Sequence, residues 1–169
     1  MLPSPAAIGE ALVQHHKIIL EGMSITATNA LIGLVVGTVI AVVLAGFAAS
    51  FRSIDGMVAP LVSAVAVIPI VAITPILNTM FGASSQFGRQ AVAAIAAFVP
   101  VFVTVLRGLR QTRPVHRDLF RASAASSGQT FRLLTLPTAL PYLFTGIRIA
   151  ASVAVIAALV AEYFGGPAD

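Results

Sequence analysis

The sequence predicts an all-α fold, a polytopic bundle of about four helices that cross a lipid bilayer. Hydrophobic residues make up 58% of the 169 residues, charged residues only 9%, and the mean hydropathy is +0.98. A soluble domain carries roughly a quarter charged residues, and a chain with so few would expose large apolar patches to water. Lipid offers the backbone no hydrogen-bond partners, so the membrane-spanning segments are predicted to be helices.

Charged residues divide the chain into four apolar runs that are long enough to cross a bilayer, which takes about 20 residues. We place span A near 25–49, span B near 57–80, span C near 90–109 and span D near 138–163. We treat 1–169 as a single transmembrane domain.

Most of the arginine lies between spans C and D. This connection contains Arg107, Arg110, Arg113, Arg117, Arg121 and Arg132. Cytoplasmic loops are enriched in Lys and Arg, so this connection is predicted to be cytoplasmic. By parity 50–56 lies on the same side, and the start of the chain and 81–89 lie outside. The net charge of +4 therefore indicates orientation in a cell membrane rather than nucleic-acid binding.

Small residues recur at four-residue steps in two spans. They are Gly33, Gly37, Ala41 and Ala45 in span A, and Gly146, Ala150, Ala154 and Ala158 in span D. Faces of small residues let helix backbones approach closely. The pattern predicts packing inside the bundle, with a dimer face as the alternative.

Span B differs because prolines interrupt it and polar residues accompany them. Pro60, Pro69 and Pro75 each remove a helical hydrogen bond, and Thr74 and Asn78 are polar. Breaks of this kind are tolerated where the freed groups face protein or a water-filled path. Two interpretations stay open: a kinked structural helix, or a pathway lined by Pro69, Thr74, Pro75 and Asn78.

The connection between spans C and D predicts a helix-turn-helix outside the membrane, over 114–135. Pro114 suits the first turn of a helix. Ser126 at the N-cap and Gln129 at the third helical position form a capping box for a second short helix. That second helix is expected to carry Phe131 and to end before Pro137.

Asp118 is followed six residues later by Ala124, and Leu136-Pro137 places its proline thirteen residues after Ala124. This spacing resembles the EAA loop, the cytoplasmic signature of the permease subunits of bacterial binding-protein-dependent ABC importers. The similar branch is the nitrate/sulfonate/taurine permeases, including importers of pyrimidine vitamin precursors. Other positions common in that branch are filled by Ser126, Gln129 and Phe131.

The chain departs from the EAA pattern at three positions. Leu119 and Phe120 stand where the motif has small residues, and Ala124 stands where it has glycine. Gly128, four residues later, is expected to supply some of the lost flexibility. Relatives usually carry further spans on both sides, so the chain resembles one whose first and last helices are missing.

The resemblance implies a permease subunit, not an enzyme, that forms the path for a small solute. Its implied partners are a cytoplasmic ATPase dimer, a second permease copy and an external solute-binding protein. ATP would be bound by the partner, so this chain is expected to need no cofactor of its own. The residues implied in ATPase coupling are Asp118, Leu119, Ala124, Ser126, Gln129, Phe131 and Pro137. The alternative is a non-transport membrane protein, such as an assembly factor or a small channel, whose basic loop serves only topology.

Other chemistries find little support in the sequence. Cysteine is absent, and neither a GxSxG nor a GxxxxGK[ST] motif occurs. The neighbouring His15 and His16 point in different directions on a helix and do not predict a metal site. Glu162 lies near the end of span D, where an acid is expected to be hydrated rather than to bind a substrate cation.

Overall fold

The computed structural model describes residues 4–50, 70–82 and 85–165, and these are helical almost throughout. The elements are α1 (Pro5–Gln14), α2 (His16–Ser50), α3 (Ile70–Phe81), α4 (Gln86–Arg110), α5 (Pro114–Ala122), α6 (Ser127–Thr130), a π-helix (Phe131–Thr135) and α7 (Leu136–Gly165). Strands do not occur in these three ranges. The predicted all-α class is confirmed.

Three helices are long and apolar enough to cross a membrane, and they contain spans A, C and D. They are α2, α4, and the continuous helix that ends as α7. The described part of span B is α3, an apolar helix of 12 residues. The rest of span B, with Pro60 and Pro69, lies outside the described residues. The prediction of about four spans agrees with this arrangement.

The bundle is organised around α4, which packs against α2, α3 and α7. Its larger side chains fill the main core against small residues of the two flanking long helices. The core includes Ala41 and Ala45 of α2, Val101, Phe102 and Val105 of α4, and Ala150 and Ala154 of α7. A small-residue face against a bulky one lets the helices close without voids.

The glycines of spans A and D lie where helices approach most closely. A Cβ atom at Gly33 would stand 2.9 Å from both the backbone nitrogen of Ala94 and the carbonyl oxygen of Gln90. A Cβ at Gly146 would stand 3.0 Å from the Cα of Val101. Contacts this short are essentially absent below 3.0 Å and rare at 3.0 Å for real Cβ atoms, so a side chain at either position would push the helices apart. The prediction that these faces pack inside the bundle is confirmed.

The helix ends that meet at each end of the bundle agree with the alternation of membrane sides that the arginines predict. Asn29 of α2, Gln86 of α4 and Glu162 of α7 are hydrogen-bonded at one end, the predicted outer end. At the other end Gly108 of α4 contacts Tyr142 of α7, where a Cβ at Gly108 would lie 2.7 Å from the Cβ of Tyr142. Thus α2 and α4 run in one direction and α7 runs in the other.

The second helix of the predicted cytoplasmic segment, residues 114–135, does not end before Pro137, contrary to the prediction. It continues unbroken from Ser127 to Gly165. Over Phe131–Thr135 the helix widens to π geometry, and the N–H of Leu136 donates to the carbonyl of Phe131, five residues back. Such local π turns re-satisfy the backbone near a proline, which lacks an N–H of its own. A proline in this position therefore reshapes the helix without ending it.

Candidate functional site

The predicted coupling segment, 114–135, lies outside the packed bundle. From Arg113 to Thr138 no residue is buried. The three long helices, in contrast, each contribute buried residues to the core. The segment is therefore ordered mainly by local interactions, and none of its side chains belongs to the buried core.

The first helix of the segment, α5, begins as predicted. Arg113 is the N-cap residue with an extended backbone, and Pro114 occupies the first helical turn. The apolar side chains of Val115 and Leu119 are 74% and 61% exposed. Asp118 pairs with Arg121 at 3.6 Å, and both side chains are largely exposed. An exposed pair of this kind stabilises a helix by only about 0–1 kcal/mol, so Asp118 stays available to a partner.

The turn after α5 is formed by Ala124, which has a φ of 52°. Its N–H donates to the carbonyl of Arg121, and the N–H of Ala125 donates to that of Phe120, both at 3.0 Å. In the part of the chain that the structure describes, Ala124 is the one non-glycine residue with positive φ. This left-handed geometry costs an L-residue about 1–2 kcal/mol, which explains why the EAA motif has glycine here.

Gly128 does not replace the missing glycine, contrary to expectation. It lies within α6 (Ser127–Thr130) and is not among the glycines with positive φ. The turn is complete before the chain reaches it, because the left-handed residue is Ala124 itself. The strain of the turn therefore stays at Ala124.

The predicted capping box at the start of α6 is confirmed. The N–H of Gln129 donates to Ser126 Oγ at 3.3 Å, and the N–H of Ser126 donates to Gln129 Oε1 at 2.8 Å. Thr130 Oγ1 also donates to the carbonyl of Ser126. Both capping side chains are thus engaged in local structure, which fixes the start of the second helix without help from the core.

Phe131 links the segment to the spanning helices. Its ring is 51% exposed, and the residue also lines an apolar cavity of about 100 Å³. The same cavity is lined by Val42 of α2, Val105 of α4 and Leu140 of α7. Pro137, the second residue of α7, is exposed beside this junction. Phe131 therefore lines a junction at which residues of all three long helices meet.

The structure places the predicted pathway residues in different environments where it describes them. Thr74 and Asn78 lie one turn apart on the buried side of α3, at 0% and 7% exposure. Pro75 lies between them and is exposed, and Pro69 is outside the described residues. Neither polar atom of the Asn78 amide has a hydrogen-bond partner in the described part of the chain. The polar side of α3 thus faces protein, and the pathway role stays a prediction.

A polar cluster at the predicted outer end was missed by the sequence analysis. Asn29 Nδ2 donates to Gln86 Oε1 at 2.7 Å and to Glu162 Oε1 at 3.1 Å. Gln90 Nε2 donates to Asn29 Oδ1 at 3.1 Å, and Thr26 Oγ1 donates to the other oxygen of Glu162. Asn29 is only 2% exposed. The available signal was an asparagine inside the apolar run of span A.

Glu162 was expected to be hydrated, and the structure shows it partly buried with two hydrogen-bond donors. Its neighbours in space come from α2, which the sequence alone does not place beside α7. Within 4–50, 70–82 and 85–165 no group of three His, Cys, Asp or Glu side chains could hold a metal ion.

The fold and the exposed segment define a multi-pass helical membrane protein with a basic, locally folded helix-turn-helix at one membrane face. Residues 33–169 match the family described as "Binding-protein-dependent transport system inner membrane component", and the chain belongs to this family. The resemblance drawn from the EAA-like spacing is thereby confirmed, as is the location in a membrane.

Among similar proteins is the formylaminopyrimidine transport permease protein ThiX of Halalkalibacterium halodurans, 31% identical over 98% of this chain and 66% of its own length. A probable ABC transporter permease protein of Haemophilus influenzae is 29% identical over 98% of this chain and 67% of its own. The putative aliphatic sulfonates transport permease protein SsuC of Bacillus subtilis is 24% identical over 98% and 60%. The chain therefore spans between 60% and 67% of the length of these relatives.

Proposed function

We propose that this chain acts as the membrane-spanning permease subunit of an ABC importer and forms part of the path for a small solute. The observation that carries this proposal is the cytoplasmic segment, which is ordered and capped although none of its residues from Arg113 to Thr138 is buried.

The exposed apolar side chains of the segment favour a protein interface over a purely topological role. Orientation in the membrane needs only positive charge. The segment adds apolar side chains held on capped helices: Val115, Leu119, Phe131 and Leu133 are all more than half exposed. Ordered apolar side chains ringed by charge are typical of a surface that a partner covers.

The proposed partner is a cytoplasmic ATPase dimer that binds ATP and receives the 114–135 helices. The chain needs no cofactor of its own in this arrangement. Closure of the ATPases would displace the segment, and Phe131 would carry the motion to α2, α4 and α7 through the cavity that it lines with them. A second copy of the permease and an external solute-binding protein complete the proposed assembly, in line with the family's description.

The proposed cargo is a small polar solute, because the related permeases are named for formylaminopyrimidine, aliphatic sulfonates, bicarbonate and taurine. The polar side of α3, with Thr74 and Asn78, is the proposed pathway lining, together with the prolines Pro69 and Pro75. The unpartnered Asn78 amide supports this assignment, since a buried polar group without a partner is costly and is retained where it serves a purpose.

The test is recovery of the ATPase with variants of this chain, extracted from membranes at matched expression. Leu119→Ser removes an apolar contact from the segment and is expected to lower ATPase recovery several-fold, because burying a leucine side chain contributes about 1.5–3 kcal/mol. Leu20→Ser is the matched control. Leu20 lies near the start of α2, away from the 114–135 segment, and is also 61% exposed.

A charge reversal supplies a second pair of variants. Asp118→Lys is expected to weaken docking because it removes an acid from the interface and adds a like charge to a basic segment. Insertion should survive, since the positive bias of the segment grows. Glu10→Lys makes the same change at an exposed acid of α1 and should leave recovery unchanged. Wild-type recovery with both Leu119→Ser and Asp118→Lys would reduce the segment to an orientation signal and leave the non-transport alternative.

A further inference from the structure

The side of α7 that points away from the bundle carries polar residues within the membrane-spanning part. The buried side of this helix includes Gly146 and Ala150. On the opposite side Thr145, Arg148 and Ser152 follow one another at steps of three and four residues, and all three are exposed. These three residues form one continuous strip, which we call the polar face of α7.

The outward side of α2 shows the composition of a face that suits lipid. From residue 31 to residue 47, every exposed residue of α2 is a leucine, an isoleucine, a valine or a phenylalanine. Polar and charged side chains are costly in hydrocarbon and tend to mark functional positions. The outward side of α2 is therefore suited to lipid, whereas the polar face of α7 is not.

Arg148 and Ser152 lie deeper in the membrane than the cytoplasmic arginines. Tyr142 of α7 packs beside Gly108 of α4, which directly follows Arg107. A helix rises about 1.5 Å per residue, so Arg148 lies about 9 Å and Ser152 about 15 Å beyond the level of Tyr142. The hydrocarbon core of a bilayer is about 30 Å thick, which places Ser152 near its middle.

No carboxylate of this chain is placed to neutralise Arg148. Within the described residues Arg148 has neither an ion pair nor a hydrogen bond to another side chain. The acids of the sequence lie before span A, in the connections between spans, or at and beyond the outer end of span D: Glu10, Glu21, Asp55, Asp118, Glu162 and Asp169. A second copy in the same orientation therefore brings no carboxylate to this depth. Since a guanidinium stays protonated, it needs water or headgroups around it.

Snorkelling to the headgroups is the alternative to water at this depth. Side chains of a helix lean towards its N-terminus, which in α7 is the cytoplasmic end, and long arginine side chains reach headgroups in this way. The short side chain of Ser152, one turn deeper, has no such reach. The two interpretations therefore differ at Ser152, which meets water in one and hydrocarbon in the other.

We propose that the polar face of α7 contacts water in the membrane-spanning part of the solute path, and that Arg148 is a specificity-determining residue of this path. The inference rests on the proposed function, because transport of a polar solute is what requires water at this depth. The fixed positive charge repels cations in the path, with little screening because the surroundings are apolar. Thr145 and Ser152 supply hydroxyl groups that hydrogen-bond the adjacent water.

The test uses single cysteines, because the chain has none of its own. Membranes that contain the chain and the ATPase are opened and treated with two hydrophilic thiol reagents of opposite charge. These are the anionic sulfonatoethyl methanethiosulfonate and the cationic trimethylammonioethyl methanethiosulfonate. Ser152→Cys should react with both. Val39→Cys, at a residue of α2 that is 57% exposed, should react at least about tenfold more slowly, since a thiol in hydrocarbon is not ionised.

Val39 is matched to Ser152 in depth as well as in exposure to the surroundings. A Cβ at Gly37, two residues before Val39, would contact Ala97 of α4, and one at Gly146 would contact Val101 of α4. Because α7 runs opposite to α4, the six residues from Gly146 to Ser152 lead back along α4 to the level at which Gly37 packs. The two cysteines therefore differ in the face that carries them and not in their depth.

A reaction of Ser152→Cys as slow as that of Val39→Cys would overturn the proposal. The polar face would then meet lipid, and Arg148 would reach the headgroups by snorkelling. The proposal would also fail if mild oxidation joined two Ser152→Cys chains by a disulfide while the reagents did not react. A second copy would then cover this face in place of water.

Arg148→Gln, introduced together with Ser152→Cys, tests the role of the charge. Residues four apart on a helix are neighbours, so the Arg148 charge favours reaction of the anionic reagent over the cationic one. In Arg148→Gln the ratio of the two rates should fall about tenfold at low ionic strength. Arg132→Gln, which removes an exposed arginine of the π-helix, is the control and should leave the ratio unchanged. An unchanged ratio in Arg148→Gln would overturn the assignment of Arg148.

The same membranes distinguish a failure of this inference from a failure of the proposed function. ATPase recovery reports on the cytoplasmic segment, and Ser152→Cys should leave it at the wild-type level. Normal recovery of the ATPase with an unreactive Ser152→Cys would refute the water contact alone. A reactive Ser152→Cys in a chain whose ATPase recovery does not respond to Leu119→Ser or Asp118→Lys would refute the proposed function and retain the water contact.

Discussion

The outer polar cluster and the cytoplasmic segment are both rich in polar groups, but their order has opposite sources. Asn29 is hydrogen-bonded to residues 57 and 133 positions away along the chain. In the cytoplasmic segment Ser126 and Gln129 are bonded across three positions. Asn29 is buried, whereas the segment has no buried residue between Arg113 and Thr138.

The difference shows how the environment determines where polar groups find partners. Inside the membrane-spanning region, water is scarce and polar groups must be satisfied by other helices. The cluster therefore depends on the assembled bundle. Outside the membrane-spanning region, caps and turns satisfy the backbone locally. The segment can therefore keep its shape while its apolar side chains are exposed.

The largest expected effect concerns the side of the membrane on which each end of the bundle lies. It is all-or-none, because a cysteine is either labelled from outside or not. The chain has no cysteine, so single cysteines can be introduced at Glu10 and Ser127, which are both exposed. An impermeant maleimide should label Glu10→Cys from outside intact cells and Ser127→Cys only after the membrane is opened. Labelling of both from outside would refute the orientation.

Next in size is the effect of breaking the bundle on which the outer cluster depends. Gly37→Leu would place its Cβ 3.1 Å from the Cβ of Ala97 and 3.2 Å from the carbonyl carbon of Ala94. Overpacking of this kind costs about 3 kcal/mol, and the midpoint of thermal unfolding in detergent should fall. Gly46→Leu on the same helix is the control, because a Cβ there meets nothing within 4 Å. Equal midpoints for the two variants would contradict the close packing of α2 on α4.

Two buried asparagines test how much hydrogen-bond partners contribute to the stability of the bundle, because Asn29 has such partners and Asn78 has none among the described residues. Asn29→Leu removes the centre of a satisfied network and should destabilise the chain by about 2 kcal/mol, since its partners are left without bonds. Asn78→Leu removes an amide without partners and should stabilise by about 1 kcal/mol. Denaturant titration of both variants in detergent measures the difference. A loss of stability in Asn78→Leu would indicate that its amide is satisfied after all.

The smallest effect is expected in the cytoplasmic segment. Ala124→Gly should stabilise the turn by about 1 kcal/mol, because glycine adopts a positive φ without strain. Ala122→Gly, at the last residue of α5, should instead destabilise it by up to about 1 kcal/mol. Hydrogen exchange of the Ala125 amide, which donates to Phe120, reports the local stability. Changes of the same sign in the two variants would exclude strain at Ala124.

Local patterns in the sequence predicted most of the fold and half of the candidate site. The apolar runs gave α2, α4 and α7 because a bilayer demands helices of that length. Ser126 and Gln129 gave the capping box because its partners lie three residues apart. The prediction that the helix ends before Pro137 was wrong. Proline usually ends a helix, and the π turn at Phe131 that accommodates this proline has no equally clear local signal.

By itself, the sequence determined the class of the protein, its spans, its predicted orientation and the resemblance of its cytoplasmic segment to the EAA loop. These properties depend on composition and on residues close together along the chain. Only the tertiary structure decided that Asn29, Gln86 and Glu162 meet and that a polar cavity opens beside them. The physical reason is that their approach is set by how α2 and α7 pack on α4, through the close contacts at Gly33 and Gly146. A hydrogen bond across 133 residues leaves no periodic trace in the chain that forms it.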